Sequence, residues 1–168
     1  MTKASVRGVI AALSPERNLS GAIYGTITAG ALLAVESSYR QTLAQAASAL
    51  ATTLVLYWLA HTYASLLEQR LRTAKRWSPS DLVTGLLHEW PIVQGAFIPM
   101  IVLVAVAVAG ASVRHAEYAA LASSAVLLLV LEVLAGQRAK LGRAEAAADV
   151  AVGIVLALGL IAVKALLK

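Results

Sequence analysis

The chain is predicted to be an all-α polytopic membrane protein with five transmembrane helices, and three observations predict it. Its 168 residues are 60% hydrophobic and only 14% charged, against roughly half and a quarter in soluble domains. The apolar residues fall in five long runs, suited to the roughly 30 Å hydrocarbon layer of a bilayer. Lys and Arg collect on every second connector between those runs, the pattern that sets membrane orientation.

Residues 1–17 precede the first run. Their apolar part, Val9 to Leu13, is too short for the core of a signal peptide. Val6, Ile10 and Leu13 recur at helical spacing, which predicts a short interfacial helix. Ser14-Pro15-Glu16 then reads as a fresh helix start. The five spans are expected at about Leu19–Val35, Leu43–Leu67, Pro91–Ala111, Tyr118–Ala135 and Ala146–Leu167. Each is too long and too rich in Ala and Leu for a strand. In lipid only a helix satisfies its own backbone within one segment.

A connector, residues 68–90, separates the second and third spans. Ser78-Pro79-Ser80-Asp81 predicts a capped helix start, with Ser78 as N-cap, Pro79 in the first turn and Asp81 closing a capping box. Leu82, Val83, Leu86 and Leu87 give that helix an apolar face, and Trp77 and Trp90 bracket it. It is expected to lie on the membrane surface. The whole chain reads as a single transmembrane domain.

One set of connectors holds Lys3, Arg7, Arg17, Arg70, Arg72, Lys75, Arg76, Arg138, Lys140 and Arg143; the other holds Arg40, Arg114, Lys164 and Lys168. The positive-inside rule then places the N-terminus in the cytoplasm and, after an odd number of spans, the C-terminus outside a cell membrane. The same distribution explains the net charge of +5 without nucleic acid as a partner.

This orientation sets five polar side chains at one depth, the cytoplasmic third: Tyr24, His61, Gln94, Glu132 and Asp149. Ionisable groups inside a bilayer face a bundle interior or a wet cavity and mark function. Glu132 and Asp149 are candidates to bind a cation, and His61 to carry a proton. The structural alternative is inter-helix hydrogen bonding or side chains reaching to the inner headgroups, with Glu132 pairing Arg138 and Asp149 pairing Arg143. Tyr57, His61, Ser65 and Glu68 share one helix face, either a pathway or a packed seam. Glu36 and Glu117 are assigned to the outer rim, His88 and Glu89 to a solvated interface, and Glu145 to a helix N-terminus. Gly21 and Gly25 form a small-xxx-small motif for close packing, within the bundle or across a dimer. Pro99 frees a carbonyl and kinks the third span.

No nucleotide loop, zinc spacing or hydrolase elbow occurs, and the chain has no cysteine. No enzyme activity and no cofactor are expected. No metal ligand is assigned.

The second half resembles a known family. Gly95-Ala96-Phe97-Ile98-Pro99, Leu134-Ala135-Gly136-Gln137-Arg138-Ala139-Lys140-Leu141 and Val152-Gly153 are similar to segments of the vacuolar iron transporter family. The resemblance covers roughly residues 82–168. It implies five spans, a cytoplasmic N-terminus, a dimer and exchange of Fe²⁺ or Mn²⁺ against protons. The family's mid-helix aspartate in span one has no counterpart here. Its second-helix methionine and glutamate are replaced by the stretch Tyr57-Trp58-Leu59-Ala60-His61-Thr62-Tyr63. The expected function is a small transporter or channel for cations or protons, and the alternative is a non-transporting scaffold or complex subunit.

Overall fold

A computed structural model describes residues 18–35, 42–73 and 78–167. The expectations for segment 1–17 and for Glu36, Arg40, Lys75, Arg76, Trp77 and Lys168 lie outside the described residues. The elements are α1 (Leu19–Val35), α2 (Leu43–Thr73), α3 (Pro79–His88), α4 (Pro91–Gly95), α5 (Phe97–Val108), α6 (Val113–Arg138) and α7 (Arg143–Leu166). Among the described residues there is no strand.

Four stretches are long and apolar enough to cross a membrane: α2, the run Pro79–Val108 that contains α3, α4 and α5, then α6, and α7. The shorter α1, at 17 residues, rises about 26 Å. Large exposed apolar side chains, among them Val152, Val155, Leu158 and Ile161 of α7, form a perimeter suited to hydrocarbon.

α1 sits at the centre. It packs against α6, α4, α7, α2 and α5. Its buried residues, Gly21, Ala22, Gly25, Thr26, Ala29, Gly30, Leu33 and Ala34, are nearly all small, so neighbouring backbones can come close. Leu33 meets Lys164, and Gly30 faces both Leu160 and Ser124. α1 therefore runs parallel to α7 and antiparallel to α6. The core joins Ala29, Leu33, Leu50, Leu54, Leu103, Ala116 and Leu121 from four helices, with Leu160 of α7 packed against them. Hydroxyls inside the helices are satisfied locally: Thr62 donates to the Trp58 carbonyl at 2.8 Å and Ser124 to that of Ala120 at 3.1 Å.

Several boundaries differ from the sequence reading. α2 does not stop at Leu67 but continues to Thr73, about 46 Å in all. No breaker intervenes there, and Glu68 and Arg72 pair at 2.7 Å one turn apart in the exposed extension. α6 starts at Val113, where Ser112 accepts from the His115 N–H. α7 starts at Arg143, where Glu145 accepts from the Gly142 N–H at 3.1 Å. α3 begins as its sequence predicts: the Ser78 N–H donates to Asp81 at 2.9 Å and the Asp81 N–H to Ser78 Oγ at 3.3 Å. One side of α3 also docks on α2, with Gly85 against Thr62 and Leu66, and Trp58 Nε1 donates to the Leu86 carbonyl at 3.0 Å.

The Pro79–Val108 run is interrupted at Ala96, between α4 and α5. Pro99 lacks the N–H that would bond the carbonyl four residues earlier, which belongs to Gly95. Thr26 of α1 stands at that carbonyl, its single hydroxyl proton shared between Gly95 at 3.0 Å and the Ala22 carbonyl of its own helix at 2.9 Å. The crossing is backbone to backbone: a Cβ on Gly25 would overlap the Ile92 carbonyl, and one on Gly95 the Ala22 carbonyl. The Gly21–Gly25 motif is thus used inside the chain, with Gly21 against the Asn18 side chain.

Thr26→Val is expected to lower stability by about 1 kcal/mol, the scale of an inter-helix hydrogen bond in a membrane. In a Pro99→Ala background the restored backbone N–H can take the Gly95 carbonyl, so the same substitution should cost less than half as much. Thermal denaturation of the four proteins in detergent checks this; equal costs in both backgrounds would refute the assignment.

Candidate functional site

The glycine contact of α1 with α4 brings the start of α1 beside Glu89, the residue that ends α3 and precedes α4. Glu89 is only 7% exposed. Asn18 donates to Glu89 Oε2 at 3.2 Å and to the His88 carbonyl at 3.1 Å. The same Asn18 side chain caps α1, accepting from the Gly21 N–H at 2.8 Å. From α2, Ser65 Oγ donates to Glu89 Oε1 at 3.4 Å. His61 Nε2 lies 3.6 Å from Glu89 Oε2, beyond hydrogen-bond length but within ion-pair reach if the imidazole is protonated. Tyr57 stacks on His61 with ring centroids 6.1 Å apart, and Tyr24 lies across it at 5.8 Å. The His61 side chain is 35% exposed, so the imidazole has one open side and one side on a buried carboxylate. Trp90 packs edge-on to Trp58 at 5.4 Å and fixes the α3–α4 corner that carries Glu89.

This corrects one sequence assignment. Glu89 is not a solvated interfacial charge, because Asn18 and Ser65 bury it from two helices; His88 beside it is exposed. The five polar side chains expected at one depth also divide between two places. α2 packs on α3, α1, α5 and α4, whereas Glu132 is on α6, whose main neighbours are α5, α7 and α1. Tyr24, Tyr57 and His61 come together. Glu132 and Asp149 form a separate pair of carboxylates on the α6–α7 hairpin, close enough to interact electrostatically. Gly153 leaves room for the Glu132 side chain, since a Cβ there would meet its Cγ at 2.9 Å. Gln94 is half-buried on α4. In the polar face of α2, His61 and Ser65 meet Glu89 and Tyr57 stacks on His61, while Glu68 turns outward to Arg72.

A second buried charge lies at the opposite end of α1. Glu117, expected on an outer rim, is fully buried, and Lys164 is 6% exposed. Lys164 Nζ donates to Glu117 Oε2 at 3.0 Å and to the Leu33 carbonyl at 2.8 Å. It also lies 5.8 Å from the centre of the Tyr118 ring. The pair ties α1, α6 and α7. A readable signal existed: Lys164 stands inside an apolar run, and the antiparallel hairpin brings it level with Glu117.

An imidazole and a buried carboxylate with an open approach can bind a proton and pass it on. Among the described residues, no group of three His, Asp or Glu side chains is arranged to hold a metal ion. No family model, curated protein or solved structure matches the chain.

Lys164→Met leaves Glu117 buried without its counter-charge and is expected to cost about 3–5 kcal/mol. The double variant Glu117→Gln with Lys164→Met should recover most of that loss. Denaturation midpoints of both single variants and the double check the coupling, and a double loss equal to the sum of the single losses would show that the two charges are independent.

Proposed function

We propose that this chain is a five-span multi-pass protein of the cell membrane that handles protons at the His61–Glu89 pair, as a small proton or cation transporter or channel. The observation that carries this reading is the pair itself: a carboxylate buried between three elements, 3.6 Å from a partly exposed imidazole. In hydrocarbon such groups are costly unless they work or are fully paired. The five-span count takes α1 as a full crossing, supported by its central position. The segregation of basic residues supports an N-terminus in the cytoplasm and a C-terminus outside. A homodimer fits the same reading, since α7 is the least buried of the long spans and Gly159 has open space beside it.

The glycines and proline behind the family resemblance have packing roles. Gly95, Pro99 and Gly153 act at the α1–α4 crossing, the helix break and the Glu132 contact. The reading takes the vacuolar iron transporter architecture from that resemblance and leaves out its metal cargo. A second reading, a non-transporting scaffold or complex subunit, is favoured by Asn18 and Ser65, which satisfy Glu89 as a structural group would be satisfied.

Liposomes with the purified protein and an internal pH indicator separate the two. Glu89→Gln and His61→Ala are each expected to reduce proton movement at least about tenfold, a modest share of what a proton relay contributes. Wild-type rates in both variants would leave the scaffold reading. The chain has no cysteine, so single cysteines at Ser80 and at Ala111 report orientation directly. An impermeant thiol reagent added to whole cells should label Ala111→Cys and spare Ser80→Cys; the reverse would invert the topology.

A further inference from the structure

The orientation of the Asn18 amide is fixed from both sides. Its Oδ1 accepts from the Gly21 N–H at 2.8 Å and from the Ser20 hydroxyl at 2.8 Å. A backbone N–H can only donate, so the amide oxygen must face α1 and the NH₂ must face the α3–α4 corner. That NH₂ donates to the His88 carbonyl at 3.1 Å and to Glu89 Oε2 at 3.2 Å. Both of its N–H bonds are spent there, one on a backbone oxygen and one on a carboxylate oxygen.

The groups around that nitrogen are ones that metal ions favour. Besides the two oxygens it bonds, Ser65 Oγ lies 3.4 Å from Glu89 Oε1 and His61 Nε2 lies 3.6 Å from Oε2. A carboxylate, a carbonyl, a hydroxyl and an imidazole together suit a divalent first-row cation. Such an ion draws its oxygens to within about 2.0–2.6 Å. The Asn18 nitrogen already bridges two of them, and its N–H bonds present the positive ends of dipoles to the carboxylate, as a cation would present its charge. Displacing it would cost both hydrogen bonds and the cap of α1. A proton asks for no such shell, since one lone pair on Glu89 or on His61 Nε2 suffices.

We propose that Asn18 is the specificity-determining residue of the His61–Glu89 pair: its amide holds the place of a metal ion, so the pair takes protons and refuses divalent cations. The inference rests on the proton reading for its meaning in transport, while the refusal itself is a matter of binding. It has a corollary. Asn18→Asp keeps an oxygen for the Gly21 N–H, and aspartate caps a helix as well as asparagine does. The exchange turns the NH₂ into an oxygen, so a second carboxylate faces Glu89 where two N–H bonds stood. Like charges that close repel unless a cation lies between them. Two carboxylates with His61 beside them then make a site for a divalent ion.

The test is titration of the full chain, in nanodiscs of zwitterionic lipid, with Mn²⁺, followed by loss of the free ion's paramagnetic resonance signal. Asn18→Asp is expected to bind Mn²⁺ at least about tenfold more tightly than the wild-type chain, because affinity at an oxygen site rises with ligand charge. Glu89→Gln in the Asn18→Asp background should return binding to the wild-type level. Asn18→Ser is a second variant against loss of folding: serine also caps, and it withdraws the NH₂ without adding charge. It should bind Mn²⁺ more tightly than wild type, by a smaller factor. Binding no tighter than wild type in both variants, or a gain in Asn18→Asp that ignores Glu89→Gln, overturns the proposal. Failure of the proton reading is a separate result: the gain in Mn²⁺ affinity would persist in a protein whose wild-type proton movement ignores Glu89→Gln.

Discussion

A helix broken inside hydrocarbon must hand its released backbone groups to a neighbour, because no water is there to take them. Pro99 imposes that condition on the Pro79–Val108 run, and Thr26 answers it with a hydroxyl shared between the Gly95 carbonyl and the Ala22 carbonyl of its own helix. The geometry follows from this one exchange. For Thr26 to reach Gly95, α1 must approach α4 at backbone distance, and Gly25 and Gly95 allow it. Once α1 is seated there, Asn18 at its start falls against Glu89 and Tyr24, further along the helix, against His61. The candidate site is a consequence of how a proline break is repaired.

The two ends of α1 treat buried charge in different ways. At the Leu33 end, Glu117 and Lys164 are both buried and directly bonded, with the Leu33 carbonyl as a further acceptor. Such a pair holds three helices in register. At the Asn18 end, Glu89 is buried but its partner His61 is not, and the two stand 3.6 Å apart. The first arrangement resembles a rivet, the second leaves an imidazole partly open beside a buried acid.

The helical class was legible in composition and run length, and helices lie where the apolar runs stand, four stretches of them long enough to cross a membrane. The cap at Ser78 and Asp81 was legible because its signal is local. The end of α2 was misread because loss of hydrophobicity after Leu67 marks the end of an apolar run, not of a helix; Glu68 and Arg72 sustain the helix in water. The site was half legible. Tyr24, Tyr57 and His61 share a face or a depth, which periodicity and charge topology reveal. Glu89 was hidden, since its burial depends on Asn18, seventy-one positions away in sequence, and on a helix crossing that no single-chain periodicity encodes. Glu132 was matched to His61 by depth alone, and depth does not say which helices are neighbours.

The buried pair of Glu117 and Lys164 also bears on how the chain is made. The two residues are forty-seven positions apart, on successive helices. When α6 leaves the ribosome its partner cation has not been synthesised, and a lone carboxylate is costly in the hydrocarbon. Full commitment of α6 to the bilayer is therefore tied to the arrival of α7. Insertion of α6 and α7 together as a hairpin keeps the acid paired throughout.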